Sequence, residues 1–372
     1  MASLPEIQAM KRALELAFLG RRAVFPNPMV GAVVLDSSGN SVGEGFHEKC
    51  GAPHAEINAL SEAGAAASSG TIVVSLEPCC HYGRTGPCTD AIIKAGIRKV
   101  VIAMRDPHPN VSGKGIEQLE SARIEVETCV LLDEAELLNR VYLHYLRTSR
   151  SWVTLKMALS MDGRTAAKDG SSRWLSCEES RKQVHRMRAS AQAVMTGAGT
   201  VRDDNPELTA RFTDHPLEEQ PVRIVVSATG DLGNSRKIFE KTGRVIIAVP
   251  ESVSGKLQEF QREFGADIWE FPADSTGYGF NLIFLLERTA SEGFGEILCE
   301  CGRGLATMLM RKKLVNTLSV FITPLILGGE GLPAFEKLGI DSMVDSIRLE
   351  NVRSSLSGTD THLEGEVVYG TD

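Results

Sequence analysis

The chain has 372 residues, long enough for two domains on a prior of roughly 150 residues each. Its 42% hydrophobic and 24% charged residues exclude whole-chain disorder, collagen and coiled coil, and no apolar run nears the roughly 20 residues that span a bilayer. The formal net charge is −8, and residues 1–148 and 149–372 are each acidic. That argues against the Lys/Arg-rich face with which nucleic-acid binders neutralise phosphate, and with no apolar span neither a nucleic-acid nor a membrane partner is expected.

In chain order, residues 5–19 predict an amphipathic helix that carries Glu6 and Glu15. It reads as neither a secretory signal nor a basic transit peptide. A cytoplasmic location is therefore expected, or the plastid stroma for a chain whose transit peptide has been removed. Val30–Leu35 predicts a buried strand, Asp36-Ser-Ser-Gly-Asn40 a hairpin turn and Ser41–Gly45 its partner strand. A helix from His54 to about Ala63 follows, then strand Thr71–Leu76, helix Thr89–Ala95, strand Lys99–Ala103, helix Gly115–Ala122 and strand Ile124–Thr128. Asp133–Leu146 predicts one continuous helix. Arg147-Thr-Ser-Arg-Ser151 breaks the pattern, which places a domain boundary near 148 and gives domains 1–148 and 149–372. The second half predicts strand Trp152–Ala158, a turn at Met161-Asp-Gly163 and helix Glu178–Ala189. Strands Ala193–Thr196, Val222–Ser227, Val245–Val249, Glu296–Cys299 and Leu318–Ile322 follow, with helix Leu305–Lys313 between the last two and antiparallel strands at the C-terminal end. The alternation argues α/β layers throughout.

The eight cysteines are too sparse for a disulfide scaffold, yet Cys79, Cys80 and Cys88 crowd together, which favours a metal. His54-Ala-Glu56, Pro78-Cys79 and Cys88 supply one imidazole and two thiolates, the donor set of a catalytic Zn2+ that keeps one position open. A structural zinc would need a fourth protein ligand, for which Cys50, Cys80 and His81 are the candidates. Glu56 sits two residues from His54, too far round a helix to share its ligation but near enough to reach water on the metal. Zinc deaminases use this arrangement, with a non-ligand Glu shuttling protons.

His54-Ala-Glu56 together with Glu77-Pro-Cys-Cys-His-Tyr-Gly-Arg-Thr-Gly-Pro-Cys88 resembles the deaminase half of the bifunctional riboflavin-biosynthesis deaminase/reductase family. Asn27-Pro-Met-Val-Gly31, Gly45-Phe-His47 and Asp106-Pro-His-Pro-Asn110 match it too. The resemblance implies a cytidine-deaminase-like three-layer α/β/α domain. It also implies hydrolytic deamination of 2,5-diamino-6-ribosylamino-4(3H)-pyrimidinone 5′-phosphate, with Glu56 as proton donor and His54, Cys79 and Cys88 on zinc. Asn27, His47, His81 and Arg84 become candidates for the substrate side.

In the second half no Gly-x-Gly-x-x-Gly follows a strand, so the usual dinucleotide fingerprint is missing. Two glycine turns, Gly197-Ala-Gly199-Thr200 and Cys301-Gly302-Arg303-Gly304, are either phosphate cradles or plain tight connections. Lys156, Ser160-Met-Asp-Gly-Arg-Thr165, Ser172-Arg-Trp174, Arg188, Asp203-Asp-Asn-Pro206, Leu208-Thr-Ala-Arg211 and Glu300 are similar, in that order, to the reductase half of the same family. This implies a dihydrofolate-reductase-like α/β domain that uses NADPH to reduce the ribosyl group to a ribityl chain. Ser172, Arg188, Leu208, Arg211 and Glu300 fall at substrate positions. Lys156, Ala158, Trp174, Thr200, Asp204, Gly302, Arg303 and Gly304 fall at cofactor positions, with Lys156 and the Asp162-Gly163 turn near the reacting end. The family also implies a homodimer or larger assembly. The alternative is a deaminase whose reductase-like domain no longer reduces.

Overall fold

In the computed structural model, residues 2–82, 86–109, 111–211, 219–234, 236–272 and 281–370 are described. The chain divides into two compact units, Met1–Ser149 and Arg150–Asp372.

The first unit runs α1 (Leu4–Phe18), β1 (Gly31–Leu35), β2 (Ser41–Phe46), α2 (Ala55–Ala63), β3 (Thr71–Leu76), α3 (Cys88–Lys94), β4 (Lys99–Met104), α4 (Lys114–Ser121), β5 (Glu125–Glu127), α5 (Leu132–Leu138) and α6 (Arg140–Thr148). Its five-stranded sheet has the order β2-β1-β3-β4-β5. β1 pairs antiparallel with β2 and β3, while β3, β4 and β5 are parallel. Alternate side chains of β1, β3 and β4 point to opposite faces. Val34, Val74 and Ile102 pack beneath α2, α3 and α4, and Val33, Val73 and Val101 pack against α1 and α5. The result is the three-layer α/β/α sandwich the resemblance implies. Gly45 lets α2 lie directly on β2, because a Cβ there would meet the Ala55 carbonyl oxygen and the Ala59 nitrogen at 2.5 Å.

The predicted Asp133–Leu146 helix is two helices, broken at Asn139. The buried Asn139 amide accepts from the Met29 N–H at 2.8 Å and donates to the Met29 carbonyl at 3.0 Å. Pairing a backbone 110 residues away takes precedence over helix continuity here.

The second unit contains β6 (Trp152–Ser160), β7 (Arg164–Ala166), α7 (Glu178–Ser190), β8 (Ala193–Gly197), α8 (Ala198–Asp204), β9 (Val222–Val226), α9 (Lys237–Glu240), β10 (Val245–Pro250), α10 (Gln258–Phe264), β11 (Asp267–Phe271), α11 (Leu282–Ser291), β12 (Glu296–Cys299), α12 (Arg303–Arg311), β13 (Thr317–Thr323), β14 (Leu332–Pro333), β15 (Arg348–Ser357) and β16 (Asp360–Val368). Its nine-stranded sheet has the order β11-β10-β9-β8-β12-β6-β13-β16-β15. The first seven strands are parallel and the last two antiparallel. Leu285 of α11 and Leu309 of α12 cover one face, over Leu155, Met195 and Ile297. Val201 of α8, Ile238 of α9 and Phe260 of α10 cover the other, over Val194, Val225 and Ile247. Arg223 is fully buried, and its guanidinium donates to the carbonyls of Ile238, Lys241, Thr242 and Gly243. Among the described residues no helix is long and apolar enough to cross a membrane.

Candidate metal centre and reductase cleft

Three segments converge in the first unit. His54 is the extended N-cap of α2 (φ −74°, ψ 163°), Cys79 follows β3, and Cys88 opens α3. Their donor atoms all lie within 4.8 Å of one another, and no further His, Cys, Asp or Glu joins that group among the described residues. His54 Nδ1 is 3.2 Å from Cys88 Sγ and 3.5 Å from Cys79 Sγ. Two ligands at zinc–nitrogen and zinc–sulfur bond lengths on a tetrahedral ion stand about 3.6 Å apart, so the site fits Zn2+. Of the candidate fourth ligands, Cys50 and His81 are exposed and Cys80 is half-buried, all outside the group.

The electrostatics suit metal capture. The Cys88 thiol, the His54 ring and the Cys88 N–H all hydrogen-bond Cys79 and draw its pKa down to about 4. The hydrogen bond to Cys79 and burial push the Cys88 thiol up, so the pair shares one negative charge. Glu56, in the first turn of α2, is buried at 3% exposure. Burial first, and then the Cys79 thiolate, raise its carboxyl to about 7. A carboxyl there can take or give a proton near neutrality.

His54, Glu56 and Cys79 line a cavity of about 530 Å³, which Asn27, His47 and His81 also line. His47 is buried, which lowers its pKa and keeps it neutral. Its Nδ1–H donates to the Pro53 carbonyl at 3.1 Å, leaving Nε2 to accept from Asn27 Nδ2 at 3.2 Å. Arg84 lies outside the described residues.

Sequence reasoning missed part of the wall. Glu77, Asp106, His108 and Tyr142 also line the cavity. Glu77 accepts from the amides of Gly113, Gly115 and Ile116, which ties down the start of α4. Asp106 accepts from the His108 N–H at 2.9 Å and from the Tyr142 hydroxyl at 3.0 Å. The Asp106–Asn110 motif contained the Asp106 signal. Tyr142 and Tyr145, three apart on α6, share one helix face and were the other available sign.

In the second unit β6, α7 and the residue after β12 bring Lys156, Arg188 and Glu300 together. Arg188 grips Glu300 bidentately at 2.5 and 2.9 Å and donates to the Thr209 carbonyl at 3.1 Å. Lys156 Nζ stands 3.9 Å from Glu300. Burial raises the Glu300 carboxyl, but Arg188 and then Lys156 outweigh it and hold the net value below the usual range. His185 Nδ1 meets the Leu208–Arg211 segment at the Thr209 carbonyl and the Arg211 N–H, both 3.1 Å away. Leu208 is buried with φ +52°, while Arg211 is exposed and pairs with Glu207.

The two glycine turns meet, the Gly302 N–H donating to Thr200 Oγ1 at 2.9 Å. Arg303 and Gly304 open α12 beside them, exposed, with open space where a Gly304 Cβ would stand. Small residues and free first-turn amides at the carboxyl ends of parallel β8 and β12 form a cradle that fits the phosphates of NADPH. Ala158 lies two residues beyond Lys156 on β6. Ser172 and Trp174 lie between β7 and α7, where Arg181 sits 4.5 Å over the exposed Trp174 ring. Asp204 ends α8, and its carbonyl accepts from Arg173 at 2.6 Å. Asp162 is a brace: its carboxylate accepts from Ser160 Oγ, Leu327 N–H and Gly328 N–H, which lowers its pKa to about 2.

A zinc-type deaminase unit followed by a nucleotide-dependent reductase unit is thus the class that fold and sites define. Residues 5–104 match the cytidine and deoxycytidylate deaminase zinc-binding region, and residues 151–363 match the RibD C-terminal domain. The chain is 40% identical over 351 residues to riboflavin biosynthesis protein RibD of Aquifex aeolicus, covering 94% of this chain and 95% of that one. It is 37% identical to the Escherichia coli RibD over 344 residues, covering 88% and 92%. Among solved structures, Acinetobacter baumannii RibD superposes with a TM-score of 0.85 at 33% identity, covering 98% of this chain and 99% of that one. A Thermotoga maritima diaminohydroxyphosphoribosylaminopyrimidine deaminase/5-amino-6-(5-phosphoribosylamino)uracil reductase does so at 0.81 and 33%, covering 97% and 98%. The chain belongs to the bifunctional riboflavin-biosynthesis deaminase/reductase family. Its deaminase domain is zinc-dependent and its reductase domain, of dihydrofolate-reductase type, is NADPH-dependent.

Proposed function

We propose that residues 1–148 deaminate 2,5-diamino-6-ribosylamino-4(3H)-pyrimidinone 5′-phosphate and that residues 149–372 then reduce its ribosyl group to ribityl. The observation that carries the first step is the buried Glu56 carboxyl beside the His54–Cys79–Cys88 donor set, at the wall of a cavity of about 530 Å³. That volume suits a small nucleotide.

Bound by His54, Cys79 and Cys88, zinc supplies an activated water at neutral pH. Glu56 moves the two protons of the attacking water in turn, the first to the pyrimidine ring nitrogen and the second to the departing amine, which leaves as ammonia, a relay its pKa of about 7 suits. The Asn27–His47 pair holds the substrate edge and His81, on the same cavity wall, hydrogen-bonds it; Arg84, outside the described residues, keeps the role of phosphate partner that the family resemblance implies.

In the second unit NADPH supplies the hydride. Thr200, Gly302, Arg303 and Gly304 hold its phosphates, while Lys156, Ala158, Trp174 and Asp204 contact the remainder. Glu300 accepts from ribose hydroxyls, fixed in place by Arg188, and Ser172, Leu208 and Arg211 complete the substrate side. An active reductase is favoured over a degenerate one because the Arg188–Glu300–Lys156 constellation is intact.

A homodimer or larger assembly is supported by β15, which ends the nine-stranded sheet and exposes Val352 and Leu356. A reducing, cytoplasmic setting is supported by eight free thiols. The test is ammonia release from the diaminopyrimidine substrate, followed by NADPH consumption on the product. Ammonia release without NADPH consumption would select the deaminase-only alternative.

A further inference from the structure

Cys299 and Cys301 bracket Glu300, and their sulfurs touch at 3.4 Å. Cys299 closes β12, fully buried beside Leu155 and Met195, and the half-buried Cys301 packs on the same core. Alternation along the extended chain sends the Glu300 side chain the other way, toward Arg188 and Lys156. Neither thiol has a part in deamination or reduction as described above. Cα atoms two apart in extended backbone lie about 6.6 Å from each other, inside the roughly 4.4–6.8 Å that a disulfide bridges.

We propose that Cys299 and Cys301 are a peroxide-sensitive dithiol whose oxidation to a disulfide switches off reduction by displacing Glu300. The switch rests on the reading of Glu300 as a substrate contact. Cys301, the more accessible sulfur, attacks a peroxide oxygen. The O–O bond breaks, one water leaves and a sulfenic acid remains. Cys299 then attacks that sulfur, the S–S bond forms, and the S–OH oxygen departs with the Cys299 proton as a second water. Two thiols and one peroxide thus give one disulfide and two waters.

Closing the bond draws the sulfurs from 3.4 Å to about 2.05 Å. The backbone between them is pinned on both sides, the Glu300 N–H to the Met195 carbonyl at 2.9 Å and the Gly302 N–H to Thr200 Oγ1 at 2.9 Å. The contraction therefore falls on Glu300 and on the turn that leads into the cofactor cradle. A displacement near 1 Å at a positioning group lowers turnover by as much as about a hundredfold.

The zinc-loaded full chain is treated with hydrogen peroxide and split into two assays. Mass spectrometry of the tryptic peptide 289–303 should show the loss of two hydrogens. NADPH consumption on the deaminated substrate should fall by up to about a hundredfold and return with dithiothreitol. Ammonia release, followed in parallel, reports whether Cys79 and Cys88 were spared. Cys301→Ala, with Cys301→Ser as the second variant, should keep reducing after the same treatment. An unchanged peptide mass, a disulfide that leaves reduction intact, or equal inactivation of both variants overturns the proposal. Reduction that is missing before any oxidant is added sinks the reading of Glu300 and the switch with it.

Discussion

Replacing Arg188 by Met keeps the aliphatic stem and removes the guanidinium that grips Glu300 at 2.5 and 2.9 Å and the Thr209 carbonyl at 3.1 Å. Glu300 retains a side chain only 11% exposed. Removing one partner of a buried ion pair costs about 3–5 kcal/mol. Lys156 remains 3.9 Å away, so the lower end, about 3 kcal/mol, applies. For a domain of this size, that lowers the melting temperature of the second unit by about 6–12 °C. The pH dependence has a definite sign. In the parent protein Glu300 ionises below its ordinary range, so its contribution is complete above the unfolded pKa near 4.3 and fades as pH falls through the folded value. Without Arg188, burial dominates and the folded value rises above the unfolded one. The variant then regains stability on acidification, and the gap to the parent narrows as pH falls from about 8 toward the unfolded pKa near 4.3. Scanning calorimetry of both proteins across that range is the assay. A shift under about 2 °C at pH 8, or a gap that widens in acid, refutes the reasoning.

Glu56→Gln preserves shape while removing the proton carrier, so ammonia release should drop by about 10²–10⁴ with zinc content and NADPH consumption unchanged. Metal analysis alongside kinetics checks this, and a variant that loses its zinc would make Glu56 a ligand instead. Asn139→Ala leaves the buried Met29 N–H and carbonyl unpaired, which should destabilise the first unit by about 2–4 kcal/mol. Because Met29 is two residues from Asn27 and Asn139 leads into α6, KM for deamination should rise as well. Urea melts and initial rates report both, and an unaltered KM would separate Asn139 from the cavity.

The strands were the most legible part of the fold. β3 and β4 sit inside the first sheet, covered on both faces, so Thr71–Leu76 and Lys99–Met104 read as short β-branched and apolar runs, interrupted only by Ser75 and opened by Thr71 and Lys99. The α5–α6 break was not legible, because the reason for it lies in the backbone of Met29. α8, α10, α11 and β11 were missed too. α8 and α10 have seven residues each, and their lengths carry little periodicity. The metal group was readable because imidazole and thiolates in one short stretch have few other uses. Arg188 and Glu300 stand 112 residues apart, so no spacing rule joins them and only the family resemblance singled them out. Asp162 looked chemical in the sequence and is structural in the fold, since its acceptors face backbone amides that a sequence does not display.

In the proposed function His54, Cys79 and Cys88 hold one zinc ion that deamination requires. Metal analysis of the purified chain, joined to ammonia release before and after chelation, measures it directly. One zinc per chain, loss of ammonia release with the metal, and recovery on adding zinc back are expected. Full ammonia release from metal-free protein would contradict the zinc requirement.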